Sequence, residues 1–235
     1  MRTNHTRNNS RTRLVVLCAV MLLVWQSSSA MAGKGSDSQV MVLDYRAAGT
    51  ATPPLKIPGA ANQSLILKSD VRSRPEPAGD LTLYKTDSHA LPSLLAHLKQ
   101  DADTKTLAAY RPLGPTVYAK SPQKAAPGEQ TFDLIVLSNP IAGHEDGYNH
   151  WYNDEHVPDA LKMPGFESAQ RFILLPESTT GSYAFPRYAI RFIFHTQDVL
   201  AASAEFKHRL DIGVIKRSPD FNYDTAVSRY YARAN

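Results

Sequence analysis

The chain has 235 residues, 43% of them hydrophobic and 20% charged, which suits a folded protein with one large core or two small ones and excludes a disordered chain. Its formal charge of +4 rests on Arg2, Arg7, Arg11 and Arg13, the charged side chains ahead of Lys34; of 26 basic groups these four leave 22, against 22 acidic ones. Electrostatic attraction to nucleic acid or to an anionic membrane then has little to act on, and Cys18, the one cysteine, sits in the same leading stretch, which takes disulfides, thiolate zinc sites and cysteine nucleophiles out of the remainder.

Residues 1–13 are polar and basic, Leu14 to Trp25 form an apolar run, and Gln26 to Ala32 bring small residues, the three-part pattern of a secretory signal peptide. The apolar run is shorter than the roughly 20 residues of a spanning helix. Cleavage is expected after Ala30 or Ala32, giving a periplasmic or secreted chain that begins at Met31 or Gly33 and has no stable membrane insertion. Cys18 lies inside the run rather than just after it, which does not suit a lipoprotein acceptor.

After a polar linker over 33–38, Val40 to Tyr45 reads as a strand, and Leu65 to Leu67 and Leu81 to Tyr84 as two more. His89 to Gln100 carries Leu91, Leu94, Leu95 and Leu98 at helical spacing, and Leu107 to Tyr110 returns to strand character before Pro112 and Pro115. Ser121 to Gln130, with Pro122, Pro127 and Gly128, reads as a linker. Beyond it Phe132 to Leu137 is a buried strand, and Tyr148 to Met163 is helical with a break. Glu167 to Leu175 and Arg187 to Thr196 are strands joined by a turn containing Gly181. Val199 to Leu210 puts Val199, Leu200, Ser203, Phe206 and Leu210 on one stripe, and Tyr223 to Tyr231 closes as a strand.

The second half is thus βαββαβ, the ferredoxin-like arrangement. The first half gives β, then ββαβ, with only Ala47 to Pro54 where a first helix belongs. Leu55, Lys56, Ile57, Pro58, Gly59 echo Leu161, Lys162, Met163, Pro164, Gly165, and each run leads to a Gln (Gln63, Gln170) and an apolar strand. The expected class is α+β: a degenerate ferredoxin-like repeat over 39–120, a linker over 121–130 and a complete repeat over 131–235, with the two sheets facing each other to close an intramolecular barrel. Tyr188, Ile190, Phe192 and Phe194 make one face of their strand apolar, while Ala189, Arg191, Ile193 and His195 share the other, so the interior is expected to be partly polar.

Chemistry is densest between Asn139 and Phe172. At 100 degrees per residue Asn149, Tyr152, Asn153 and His156 share one helix face, and Tyr148, Trp151, Tyr152 and Glu155 the adjoining one, while His150 and Asp154 point away. Trp151 and Tyr148 should dock on the sheet and set Glu155 and His156 at the edge of an apolar interface, where desolvation moves pKa values. Pro158 disfavours helix at Val157, so the helix should end or kink next to His156. His144, His150 and His156, six apart, turn about 240 degrees per step and cannot converge on a metal from one helix. Arg171 and Arg191 would lie opposite each other in a hairpin centred near Gly181, and two such cations favour an anion or an acidic neighbour such as Glu177.

The residues Asn149, Trp151, Tyr152, Glu155, His156, Pro158, Asp159, Leu161, Pro164, Gly165, Phe166, Ser168, Gln170, Arg171 and Phe172, with Tyr148 where the family has Phe, resemble the motif of EthD-like proteins of the dimeric α+β barrel superfamily. The motif covers about a tenth of the chain. Relatives in that superfamily are usually dimers of one ferredoxin-like domain and include lactone isomerases, polyketide cyclases, cofactor-free monooxygenases and haem-dependent enzymes. The resemblance implies a tandem copy forming the barrel within one chain, as a monomer or a homodimer, with one active pocket between sheet and helices.

These readings point to an exported enzyme, without an organic cofactor, doing acid–base chemistry of isomerase, lyase, cyclase or dehydratase type on a small apolar carbonyl, lactone or aromatic compound; cofactor-free oxygenation would need the same base. His156 is the expected proton-transfer residue and Glu155 or Asp159 its orienting partner. Tyr152 and Asn149 are donors toward a developing enolate, and Trp151, Tyr148, Arg171, Arg191 and His195 surround the substrate. The alternatives are a non-catalytic small-ligand-binding barrel and a haem protein with His156 or His195 as axial ligand.

Overall fold

The computed structural model describes residues 39–46, 55–70, 79–101, 104–121 and 124–234. The secretory leader, the linker over 33–38 and the stretch 47–54 in place of a first helix lie outside the described residues.

Nine strands are described: β1 (Val40–Arg46), β2 (Ala60–Asp70), β3 (Asp80–Thr86), β4 (Thr104–Pro112), β5 (Val117–Tyr118), β6 (Gln130–Ser138), β7 (Phe166–Leu175), β8 (Tyr188–Thr196) and β9 (Val227–Arg233). They pair antiparallel in the order β4-β1-β3-β2-β9-β6-β8-β7, and β4 pairs with β7 to close an eight-stranded barrel. Closure removes the open edges that a flat sheet of this length would present. Pro112 has no N–H with which to extend β4, and β5 resumes the same edge of β7 opposite Ala169 and Ser168.

The order inside each half is the same: the fourth strand, the first, the third, the second, as β4-β1-β3-β2 and as β9-β6-β8-β7. The echoed pentapeptides occupy matching places. Gly59 (φ 78°) and Gly165 (φ 81°) each stand one residue ahead of the second strand of their half, and the N–H groups of Ala60 and Phe166 close the same turn onto Ile57 and Met163. Gln63 follows its glycine by four residues and Gln170 by five; a bulge between Phe166 and Ser168 takes up the extra one.

Helix α1 (Leu91–Gln100) covers the outer face of the first half, burying Leu94 and Leu98 against Val40, Val42 and Leu107. The second half is covered by α2 (Glu145–Trp151), a π-turn (Tyr152–His156), α3 (Val157–Ala160) and α4 (Val199–Asp211). A third core, inside the barrel, packs Met41, Leu43, Tyr45, Tyr110, Phe172 and Tyr231. Each β8 side chain therefore faces a buried layer, the helices on one side and the barrel on the other, and the interior is partly polar through Arg191, His195 and Asp133. None of the described helices is long and apolar enough to cross a membrane.

Four expectations need correcting. The β2 strand runs well beyond Leu65 to Leu67, because backbone pairing with β3 and β9 carries through Asn62, Gln63 and Ser64. The last strand starts at Val227 rather than Tyr223, because the Asn222 side chain accepts the N–H groups of Asp224 and Thr225 and holds a turn there. Leu200 is 63% exposed; Val199, Ala202, Phe206 and Leu210 form the packed stripe, and Leu200 is a full 100 degrees from Val199. Arg191 pairs with Gln170, and Arg171 with Ile190, so the two arginines lie on opposite faces of the sheet.

Candidate active site

Pro158 has no N–H to return to the preceding turn. The backbone does not break there: it widens into the π-turn, in which the N–H of Val157 reaches the carbonyl of Tyr152, and resumes as α3. Such turns recur at functional sites. Rotation per residue is smaller in a π-turn, so the face expected to hold Asn149, Tyr152, Asn153 and His156 divides. Tyr152 and His156 are buried against the sheet, while Asn149 and Asn153 turn their amide oxygens to Arg171, each accepting from the guanidinium at 2.7 Å.

Beneath the π-turn lies a cavity of about 280 Å³, bounded by α4 and the outer face of β6, β8 and β9. Leu134, Val136, Phe192, Phe206, Leu210 and Phe221 give it an apolar wall; His156, Tyr152, Ser203 and Tyr230 supply polar groups, and Lys207, Asp211 and Arg217 also line it. Asp211 holds Lys207 at 2.5 Å and Arg217 at 2.6 Å. The imidazole of His156 is packed against the rings of Trp151, Tyr152 and Phe206, at centroid distances of 4.4, 5.4 and 6.2 Å.

Burial lowers the His156 pKa to about 4, against the opposing pull of a hydrogen bond to the Lys216 carbonyl and of the Asp159 charge. The Nδ1 of His156 is buried and has no hydrogen-bond partner among the described residues. Burial likewise pushes the Tyr152 and Tyr230 hydroxyls up to about 12. At neutral pH an uncharged imidazole and two protonated phenols thus stand among the residues that line the cavity. That set can take a proton from an acidic C–H or O–H and steady the oxyanion that results.

Of the residues singled out in the sequence, His156, Tyr152 and Trp151 line the cavity. The indole N–H of Trp151 donates to the Lys216 carbonyl at 3.0 Å. Tyr148 is fully buried behind them, 2.8 Å from the Ser138 hydroxyl. Glu155 pairs with Lys216 at 3.0 Å and Asp159 with Lys162 at 2.6 Å, so neither carboxylate is hydrogen-bonded to the imidazole; Asp159 acts on it through charge alone. His150 and Asp154 form an exposed pair, and His144 pairs with Asp220. Arg171 lies 4.7 Å above the Tyr152 ring, a buried cation answered by amide oxygens and aromatic faces. Arg191 and His195 belong to the barrel interior, across the sheet from the cavity.

Phe221, Tyr230 and Arg217 line the cavity as well and carry no sequence pattern that marks them. Ser203 and Phe206 are legible as part of the α4 stripe, though only as core. His195 does not suit a haem iron: both of its ring nitrogens are engaged, Nδ1 with Thr131 at 3.1 Å and Nε2 with Glu167 at 3.0 Å.

No family model and no curated protein matches the chain. Among solved structures, an anthrone oxidase-like protein is similar at 12% identity and a TM-score of 0.55, with 85% of this chain and 92% of that one covered. A mutant chlorite dismutase from Candidatus Nitrospira defluvii, in complex with cyanide, is similar at 9% identity and a TM-score of 0.51, over 85% and 92% of the two chains. The fold is that of the dimeric α+β barrel proteins.

Proposed function

We propose that this chain is an exported, EthD-like enzyme, two ferredoxin-like repeats in tandem, that removes a proton from a small, flat, apolar carbonyl or phenolic compound without an organic cofactor. The carrying observation is the neutral imidazole of His156 at the wall of a largely apolar cavity. In support of the repeats stand the matched strand orders and the two positive-φ glycines at matching strand starts; in support of export stands the three-part leader.

A base with a pKa of about 4 is weak. It becomes effective when the proton it accepts is held beside the new enolate, whose negative charge raises the imidazole's proton affinity as the transfer proceeds. Substrates must therefore be carbon acids or phenols with the conjugate base spread over rings, in keeping with the aromatic wall. Tyr152 and Tyr230 donate toward the developing oxygen charge. Isomerisation, elimination, cyclisation and oxygenation by dioxygen all follow from that first anion.

The similarity to an anthrone oxidase-like protein makes anthrone, whose ring methylene is such a carbon acid, a suitable probe. In deuterated buffer the protein should speed deuterium uptake at that methylene above the buffer rate, and His156→Ala should slow it by roughly 10² to 10⁴. Equal rates for both proteins would remove His156 from the chemistry. Saturable anthrone binding with no exchange would assign the cavity to a binding protein.

A further inference from the structure

Arg46, Arg171 and Arg191 are each no more than 6% exposed. Arg46 donates to Asp44 at 2.8 Å and Arg191 donates to Asp133, so a carboxylate answers each of those two charges. Arg171 differs from them. Its terminal nitrogens donate to the side-chain oxygens of Asn149 and Asn153 at 2.7 Å each, and its guanidinium lies 4.7, 5.6 and 5.7 Å from the ring centres of Tyr152, Tyr148 and Tyr188. Each of these partners is neutral, and among the described residues no carboxylate forms an ion pair with Arg171. Glu145, which accepts from the Tyr188 hydroxyl, pairs with Arg187 instead.

The hydrogen bonds of Arg171 are thus satisfied while its charge is not cancelled. Burying a charge without a counter-ion is unfavourable, and burial holds the Arg171 pKa below the usual guanidinium value, opposed most by the phenols of Tyr148, Tyr152 and Tyr188. Arg171 stands opposite Ile190 on the face of the sheet that the helices cover. Of the three rings around it the closest, Tyr152, lines the His156 cavity, whereas Arg171 itself does not. The charged residues that line the cavity are Lys207, Arg217 and the Asp211 that both of them hold. A positive charge set behind an apolar wall, away from water, acts on the space beyond that wall more strongly than one in solvent.

We infer that Arg171 is a positioning residue of the His156 cavity: acting from behind Tyr152, its uncancelled charge makes the cavity prefer a ligand with a negatively charged oxygen, an enolate or a phenolate, over the neutral acid of the same shape. This rests on the reading of that cavity as the place where such an anion forms, and it names the form in which the ligand is held best. Asn153 offers a way to remove the charge without removing the arginine. It is exposed, and its side-chain oxygen already meets the guanidinium. Asn153→Asp therefore places a carboxylate against Arg171 and leaves the guanidinium where it is.

The probe is 4-nitrophenol, a small flat phenol that is neutral at pH 5.5 and a phenolate at pH 8.5. In the full chain carrying Trp25→Phe, Trp151 is the one tryptophan and stands at the cavity wall, so quenching of its fluorescence reports binding there. Between the two pH values His156 stays neutral and Tyr152 and Tyr230 stay protonated, and titration elsewhere cancels when proteins are compared. The parent should bind the phenolate more tightly than the phenol, and Asn153→Asp and Arg171→Met should each reduce that preference by about tenfold. Thermal melts verify that the variants fold. A parent that binds no phenolate saturably or shows no preference for it overturns the inference, as does an unchanged preference in Asn153→Asp or in a folded Arg171→Met. If the preference behaves as expected while anthrone exchange is absent, the inference stands and the acid–base role of His156 falls.

Discussion

His156 should make the protein lose stability on mild acidification, and His156→Gln should remove most of that loss. The unfolded chain takes up a proton at this residue near pH 6.5, whereas the folded state resists it down to about pH 4. A depressed histidine pKa means that the group costs nothing above pH 6.5, that stability drains away as pH falls from 6.5 toward 4, and that the loss from this group levels off below 4. The drop from 6.5 to about 4 corresponds to about 3 kcal/mol over the full window, of which about 2 kcal/mol is lost by pH 5. Urea unfolding at pH 7.5 and pH 5.0 measures the difference directly. The parent should lose about 2 kcal/mol more than His156→Gln between the two pH values. Whatever the glutamine costs by itself cancels, since only the change with pH is compared. Losses that agree to within about 0.5 kcal/mol would show an imidazole that titrates as if hydrated, and the account of burial would be wrong.

Gly165→Ala should be far more damaging than Gly143→Ala in urea unfolding. Both glycines have φ above 80°, which costs an alanine about 1–2 kcal/mol, but a Cβ at 165 would stand 2.2 Å from the His195 carbonyl oxygen whereas one at 143 meets nothing within 4 Å. Asp133→Ala strands Arg191 in the barrel interior and should cost about 3–5 kcal/mol, measured the same way. His150→Ala and Lys216→Ala break exposed or half-exposed pairs, and each should change stability by less than about 1 kcal/mol.

The barrel was legible where pattern and packing agree. Alternation along Tyr188 to His195 places two buried layers around β8, and the pentapeptide echo marks the start of the second strand in each half. Pro158 announces an irregularity beside His156; that it takes the form of a π-turn rather than a helix end depends on α3 having Val157 and Ala160 to bury against the sheet. The opposition of Arg171 and Arg191 failed by one residue, because the strands pair with Ile173 opposite Tyr188 and Gln170 opposite Arg191 rather than symmetrically about Gly181, and one residue moves a side chain to the other face. The cavity itself was not legible. It is made where α4 and the segment around Phe221 and Tyr223 dock over β6, β8 and β9, and the residues concerned show ordinary core and loop composition until they meet.

The pH dependence of protein-promoted deuterium uptake into anthrone tests most directly whether an uncharged His156 is the proposed base. The second-order rate constant should rise with pH through an apparent pKa near 4 and stay level from about pH 5 upward, following the free protein's imidazole. A rate constant that instead rises through pH 6.5, or one that His156→Ala leaves unchanged, would contradict the account.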